Sequence, residues 1–180
     1  MIKKLIPALA LVILSAGIFI TSCTSTVDPI NSSVKTPGSL SVSTTTATYN
    51  GRYSPKHVLA VWIESSTGTF VKTLLVRAQS RKQYLTNWLS STSSGNSTDA
   101  ITGATLNSHG ARSCIWDGTD ASGNVVGDGT YKVCMELTEN DGTGKFSSFT
   151  FTKGTTTDTQ APADKTSFTN VSIVWTPNVK

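Results

Sequence analysis

Residues 99–105 read Asp-Ala-Ile-Thr-Gly-Ala-Thr. Three of these side chains are chemically usable: the Asp99 carboxylate and the hydroxyls of Thr102 and Thr105. A threonine hydroxyl is a weak nucleophile and reacts only when another group activates it. Gly103 and Ala104 clear side-chain bulk from in front of Thr105, so a second protein can close on the backbone and supply that activation. Asp99 is placed to accept hydrogen bonds from backbone N–H groups just downstream, which would pre-form a tight turn. The segment reads as a presented acceptor, and equally as a plain loop between strands. His109 and Arg112 follow close behind. No nucleophile–base–acid constellation is visible elsewhere. The 2 histidines and 3 cysteines show neither zinc-ligand spacing nor a haem-attachment motif. Independent catalysis is not expected.

The elements that must carry this segment read as an exported all-β domain. Charged residues are only 14% of the 180, and Ser and Thr are abundant, which suits strands and turns. The formal charge of +4 comes without a clustered Lys/Arg stripe, which argues against nucleic acid as a partner. Arg77, Arg81 and Lys82 read as a short solvated group. At the N-terminus, "MIKK" precedes the apolar run "LIPALALVILSAGIFI", as in a secretory signal. Small Thr21 and Ser22 then stand before Cys23, which resembles the lipobox of bacterial lipoproteins. Residues 1–22 are therefore expected to be a signal peptide and Cys23 a lipidated new N-terminus, anchored to a membrane and not spanning it. The alternative is a single transmembrane anchor. Thr24 and Ser25 stand where an inner-membrane retention signal places Asp, so the expected site is the outer membrane of a Gram-negative envelope, facing the periplasm or the exterior.

Residues 23–42, poor in large apolar side chains, read as a flexible tether, and 43–180 as one domain. "KHVLAVWIE" is apolar on both faces, as a central strand would be, and forms a hairpin with "GTFVKTLLV". Tyr84, Leu85, Trp88 and Leu89 recur at helical spacing, predicting one short helical segment over the core. In "TYKVCMELTE", Tyr131, Val133, Met135 and Leu137 would face the core and Lys132, Cys134 and Glu136 the solvent. About seven such strands predict a single immunoglobulin-like β-sandwich. Cys114 and Cys134 lie on two runs that look hairpin-connected, and in an oxidising compartment they are expected to form a disulfide.

The connection between those runs, "WDGTDASGNVVGDGTYKV", resembles a hairpin of the flagellar-hook-cap type Ig-like domain. Trp116 and Tyr131 would clamp its base, and Asp117, Asp120 and Asp128 would cap turns, their spacing not being that of an EF-hand calcium loop.

Asp99, Ala100, Ile101, Thr102, Gly103, Ala104 and Thr105 complete the pattern D-x-x-S/T-G-A-S/T, which resembles the substrate motif of covalent flavin transferases of the ApbE type. That resemblance implies FMN joined by a phosphoester bond to Thr105, with Asp99, Thr102, Gly103 and Ala104 as recognition residues. Arg112 could then neutralise the phosphodiester, although it reads equally well as a surface charge. No pre-formed flavin pocket is evident in the sequence. "HVLAVWIE", "GTFVKTL", "YLTNW", "DAITGAT", "HG", "WDGTDASGNVV" and "DGTYKV", in this order over residues 52 to 153, resemble a family of predicted periplasmic proteins, domain-of-unknown-function family 2271. The family resemblance implies an Ig-like fold and a link to extracytosolic electron transfer beside PepSY-type haem membrane proteins. Two readings stay open: a lipoprotein electron carrier with covalent FMN, and a non-redox Ig-like binding or scaffold module of the envelope.

Overall fold

The computed structural model describes residues 28–93 and 95–178, so the signal segment 1–22 and the lipidation candidate Cys23 lie outside the described residues. The fold is an all-β sandwich. In chain order the strands are β1 (Gly38–Thr46), β2 (Val58–Ser65), β3 (Phe70–Arg77), β4 (Ile101–Gly103) and β5 (Gly110–Trp116). They continue as β6 (Gly129–Thr138), β7 (Lys145–Lys153), β8 (Asp158–Gln160) and β9 (Phe168–Pro177). One sheet runs β5-β1-β9-β8 and the other β4-β3-β2-β6-β7. Nine described strands thus stand where the sequence reading counts about seven; β4 and β8, of 3 residues each, are too short to announce themselves.

The β2–β3 hairpin forms as expected, and β2 is central and buried on both faces. Between the sheets, Trp116 packs against Tyr131 at 5.5 Å, Phe151 at 6.0 Å and Trp175 at 6.1 Å between ring centroids. Each such ring removes on the order of 150–250 Å² from water, so this aromatic knot supplies much of the driving force for closing the sandwich. Outside the five-stranded sheet, a 3₁₀ stretch (Gln79–Tyr84) leads into the one α-helix among the described residues, α1 (Thr86–Thr92). Leu85 and Trp88 cover Val58, Ala60, Trp62, Val76 and Cys134 on the sheet's outer face.

That cover changes the expected pattern of β6. Cys134 and Glu136 do not face solvent but are wholly buried. Glu136 has a reason to be there. No side chain caps α1 from within, and the Glu136 carboxylate accepts from the Asn87 amide N–H at 3.2 Å, its side-chain Nδ2 at 2.8 Å and the Trp88 amide N–H at 2.9 Å. A carboxylate from the sheet thus satisfies donors that the start of a helix leaves open.

The tether expectation is corrected by the structure. Val34 O accepts from the Asp128 amide at 2.7 Å. Asp28 accepts from Ser65 Oγ at 3.1 Å and Thr69 Oγ1 at 2.9 Å, and from Thr67. β1 begins at Gly38, inside the supposed tether, with Leu40 and Val42 buried in the core. Short polar residues that cannot build a core of their own are docked here by hydrogen bonds to a core built elsewhere.

The disulfide is also corrected. β5 and β6 are not a hairpin: they belong to different sheets, and residues 117–128 cross from one to the other. Cys114 faces the inter-sheet core, whereas Cys134 lies in the cluster beneath α1, on the opposite face of the five-stranded sheet. Both are free thiols. Burial pushes the Cys114 thiol up to about 12 and raises that of Cys134 as well, so neither supplies thiolate for oxidation. The crossing itself is fixed at both ends by the expected aromatics. Trp116 Nε1 donates to Thr119 O at 2.7 Å and the Tyr131 hydroxyl to Gly127 O at 2.7 Å. Asp117 caps Thr119 and Asp120 caps Ser122 and Asn124. Asp128 instead reaches out to the Thr36 amide at 2.8 Å and to buried Lys153 at 2.8 Å.

Two outcomes follow. Thiol titration should find Cys114 and Cys134 silent in the native protein and both reactive in denaturant without reductant. Glu136→Ala should lower the free energy of urea unfolding by about 1–3 kcal/mol, the cost of leaving buried helix N–H groups unpaired.

Candidate functional site

The segment 99–105 leaves a turn, closed by the Ala100 amide on Ser97 O at 3.1 Å, and enters an edge strand. Asp99 takes a left-handed backbone conformation, φ 57°, and no described residue donates a hydrogen bond to its carboxylate. The expected turn-capping role of Asp99 is therefore corrected. From there β4 pairs parallel with β3, with Leu75 opposite Ile101, Val76 opposite Thr102 and Arg77 opposite Gly103. Only one side of β4 is paired, and Thr102 and Ala104 are exposed. Gly103 is where the Arg77 guanidinium crosses the strand: a β-carbon there would stand 2.1 Å from Arg77 Nη1. A side chain at 103 would have to push the flexible end of Arg77 off the strand.

Thr105 comes next and is half-buried. It lies on the wall of a cavity of about 460 Å³ at the end of the sandwich where β2 begins and β6 finishes. The walls come from four separate segments, one of which runs from the β1–β2 loop into β2. The β1–β2 loop supplies Tyr53, Lys56 and His57, and the 3₁₀ stretch supplies Arg81 and Tyr84. Thr105 and Asn107 come from the β4–β5 loop, Val58 from β2, and Glu139 and Asn140 from the end of β6. Apart from Thr105, sequence reasoning assigned none of these to a site. The available signal was the clustering of tyrosines with cations in "RYSPKH" and "RKQY".

Below the cavity lies a buried polar chain. His57 and His109 stack with ring centroids 4.2 Å apart and planes within 4° of parallel. His109 Nε2 is 2.7 Å from Glu139 Oε1. Glu139 Oε2 accepts from Thr48 Oγ1 at 3.0 Å, the Tyr49 amide at 3.1 Å and the Gly51 amide at 2.8 Å. Burial pushes the Glu139 carboxyl up, but the bonds from Gly51, Thr48, His109 and Tyr49 together outweigh it and hold it below the usual range. The His57 ring nitrogen Nδ1 lies 3.0 Å from Pro55 O and donates to it as the neutral tautomer, which leaves buried Nε2 an acceptor without a partner. Burial lowers His57 to about 4, further helped by the positive charge of Arg112. The His57 backbone pairs in both directions with Leu106, at 3.0 and 2.9 Å, so the residue after Thr105 is clamped to this chain.

Around the rim, Asp141 accepts from the Tyr53 hydroxyl and from Arg81 Nη1, the latter at 2.9 Å. The Tyr53 hydrogen bond is the main cause of the lowered Asp141 carboxyl, with burial opposing and Arg81 assisting. Arg52 and Arg81 each stand 5.4 Å from the centre of the Tyr53 ring, which fixes that ring in place. Lys56 is exposed and has no acidic partner among the described residues.

Arg112 is not part of this cavity. Its guanidinium donates to Ala111 O at 2.7 Å and Ser108 O at 2.6 Å, holding the β4–β5 loop. The expectation that it faces a group on Thr105 is corrected; Lys56 and Arg81 are the cations that share the cavity with Thr105.

A family model described as predicted periplasmic protein (DUF2271) matches residues 26–170. The chain belongs to that family. The match begins within the segment that composition alone assigns to a tether, in agreement with the docked residues 28–42. No curated protein and no solved structure matches it. Membership in the DUF2271 family makes this a predicted periplasmic protein of unknown function.

The His57 site gives a pH dependence. An unfolded histidine takes up its proton near pH 6.5, whereas native His57 resists until about 4. The native state therefore loses stability as pH falls from 6.5 to 4, by about 3 kcal/mol in all. Urea unfolding across that window should show the slope, and His57→Gln should flatten it.

Proposed function

We propose that this protein is an envelope lipoprotein, anchored through Cys23, that carries FMN on Thr105 and passes electrons between extracytosolic partners. The observation that carries this reading is the position of Thr105: an acceptor hydroxyl on the wall of a tyrosine- and cation-lined cavity, directly after an exposed edge strand. The edge leaves the main chain of 101–104 open on one side to an ApbE-type flavin transferase, as an added strand is read in other peptide complexes. The Thr105 hydroxyl attacks phosphorus and loses its proton to the transferase's base. FMN by itself would offer only hydroxide as a leaving group, so the donor must be an anhydride of FMN. Flavin adenine dinucleotide is one, and AMP then leaves.

The residues present fit such a group. Lys56 supplies an unpaired cation near the phosphodiester in place of Arg112, the pinned Tyr53 ring supplies an aromatic wall, and His57 Nε2 is an acceptor without a donor. The bound flavin would supply one- and two-electron redox chemistry. The partner class is an extracytosolic electron donor or acceptor, for which a PepSY-type haem membrane protein is the candidate.

Co-expression with an exported flavin transferase should add one FMN to the peptide spanning residues 99–112, read by mass spectrometry. Thr105→Ala should abolish the addition, Thr105→Ser retain it, and Thr102→Ala weaken it only. Gly103→Val should nearly abolish it, because its side chain displaces Arg77 from the strand and blocks the approach. No adduct with a competent transferase returns the protein to a non-redox Ig-like module. Separately, Cys23→Ser should leave an unprocessed precursor without lipid label.

A further inference from the structure

We infer that the cavity beside Thr105 is a binding site for a planar aromatic ring carrying an anionic group, and that it docks the flavin attached to that residue instead of leaving it free in solvent. The inference rests on flavinylation of Thr105 for its occupant, and on the cavity's own chemistry for its ligand class.

Size comes first: about 460 Å³ lies within the range of small-molecule sites and is far more than a solvating loop needs. The lining then narrows the choice. Val58 is the one aliphatic side chain on the wall, so an acyl chain would find little to pack against. The apolar surface on offer is aromatic. Tyr53 is held by a hydroxyl bond to Asp141, with the Arg52 and Arg81 guanidinium groups each 5.4 Å from its ring centre, and so forms a fixed part of the wall. Tyr84, half-buried, enters the same space from the 3₁₀ stretch. Flat π-systems stack on such rings.

Charge narrows it again. Asp141 is committed to Tyr53 and Arg81, and Glu139 to His109 and the backbone of residues 49–51. Lys56 has no such commitment, so the free charge at the cavity is positive. Asn107 is exposed on the rim and can address the polar edge of a heterocycle. At the floor, His57 is 2% exposed and its Nε2 is buried with no hydrogen-bond partner, an unused acceptor. An aromatic, N–H-bearing, phosphate-linked group answers each of these features.

The test uses the full chain, in detergent, modified by the co-expressed transferase, with adduct occupancy fixed by mass spectrometry. The flavin of the native protein should fluoresce at least about tenfold less than the same sample unfolded in guanidinium, because a ring stacked on tyrosine is quenched. Tyr84→Ala, and separately Tyr84→Leu to keep the packing, should restore most of the emission while leaving occupancy unchanged. The unmodified chain should bind free FMN saturably, and about tenfold more weakly after Lys56→Gln, whereas riboflavin binding should ignore that change. Full occupancy with native emission equal to the unfolded value overturns the dock and leaves flavinylation standing. No adduct together with saturable, Lys56-dependent FMN binding does the reverse. Absence of any saturable FMN or riboflavin binding by the folded unmodified chain, checked by the native unfolding transition, overturns the ligand class itself.

Discussion

Glu139 is the group on which the functional end of this molecule depends. A carboxylate buried without partners would take up a proton or force the structure open. Here four donors surround it, from Thr48, Tyr49, Gly51 and His109. Those donors sit on two loops that are remote in sequence from β6 and from each other. One carboxylate therefore fixes the β1–β2 loop, the β4–β5 loop and the end of β6 in a single arrangement. The next link is the His57–His109 stack, and the one after it the backbone pair between His57 and Leu106. Thr105 inherits its place from that series. It is half-buried because its neighbour is clamped, although it belongs to a loop after a three-residue strand.

The sandwich that supports this end has its own polar fastening. Lys153 is buried on the Trp175 ring at 5.3 Å, with its ammonium bonded to Asp128 at 2.8 Å and Thr36 O at 2.7 Å. Asp128 also takes the Thr36 amide and hydroxyl. The crossing segment, β7 and the N-terminal stretch are thereby joined where the two sheets meet. With one partner removed, the others would be left as buried unpaired charge, so the arrangement is cooperative. The Ser/Thr-rich β1 can then serve as an inner strand with only Leu40 and Val42 as large apolar contributions.

What the sequence made legible follows from which forces are local. The apolar runs of β2 and β3, the aromatic spacing of α1 and the turn chemistry of Asp117 and Asp120 act within a dozen residues, and each is found where pattern places it. The misread features all depend on something distant. β6 alternates as a half-wet strand would, yet α1 covers its second face and buries Cys134 and Glu136. Cys114 and Cys134 look paired because twenty residues separate them with a Gly-rich link between, but the link changes sheets. Residues 28–42 look like a tether because hydrogen bonding to a finished core has no sequence period. At the site the division is the same. The motif ending at Thr105 is legible because it is contiguous, whereas a cavity wall drawn from four segments is not, and nearness in sequence pointed to Arg112, which lies outside that cavity, and not to Lys56, which lines it.

Under the proposed flavinylation of Thr105, the geometry would separate two requirements that otherwise conflict. An enzyme that modifies Thr105 needs the backbone open, and β4 offers that as a short edge strand with exposed Thr102 and Ala104. A redox group, once attached, benefits from a fixed environment, since each dipole that must turn during electron transfer adds to the barrier. The cavity offers fixed surroundings: a tyrosine pinned by two guanidinium groups, and a histidine stack anchored on a carboxylate that is itself fully bonded. Access lies on the strand side of Thr105 and rigidity on the Leu106 side. The boundary between them falls at one residue, and that residue is the one whose hydroxyl ends the motif.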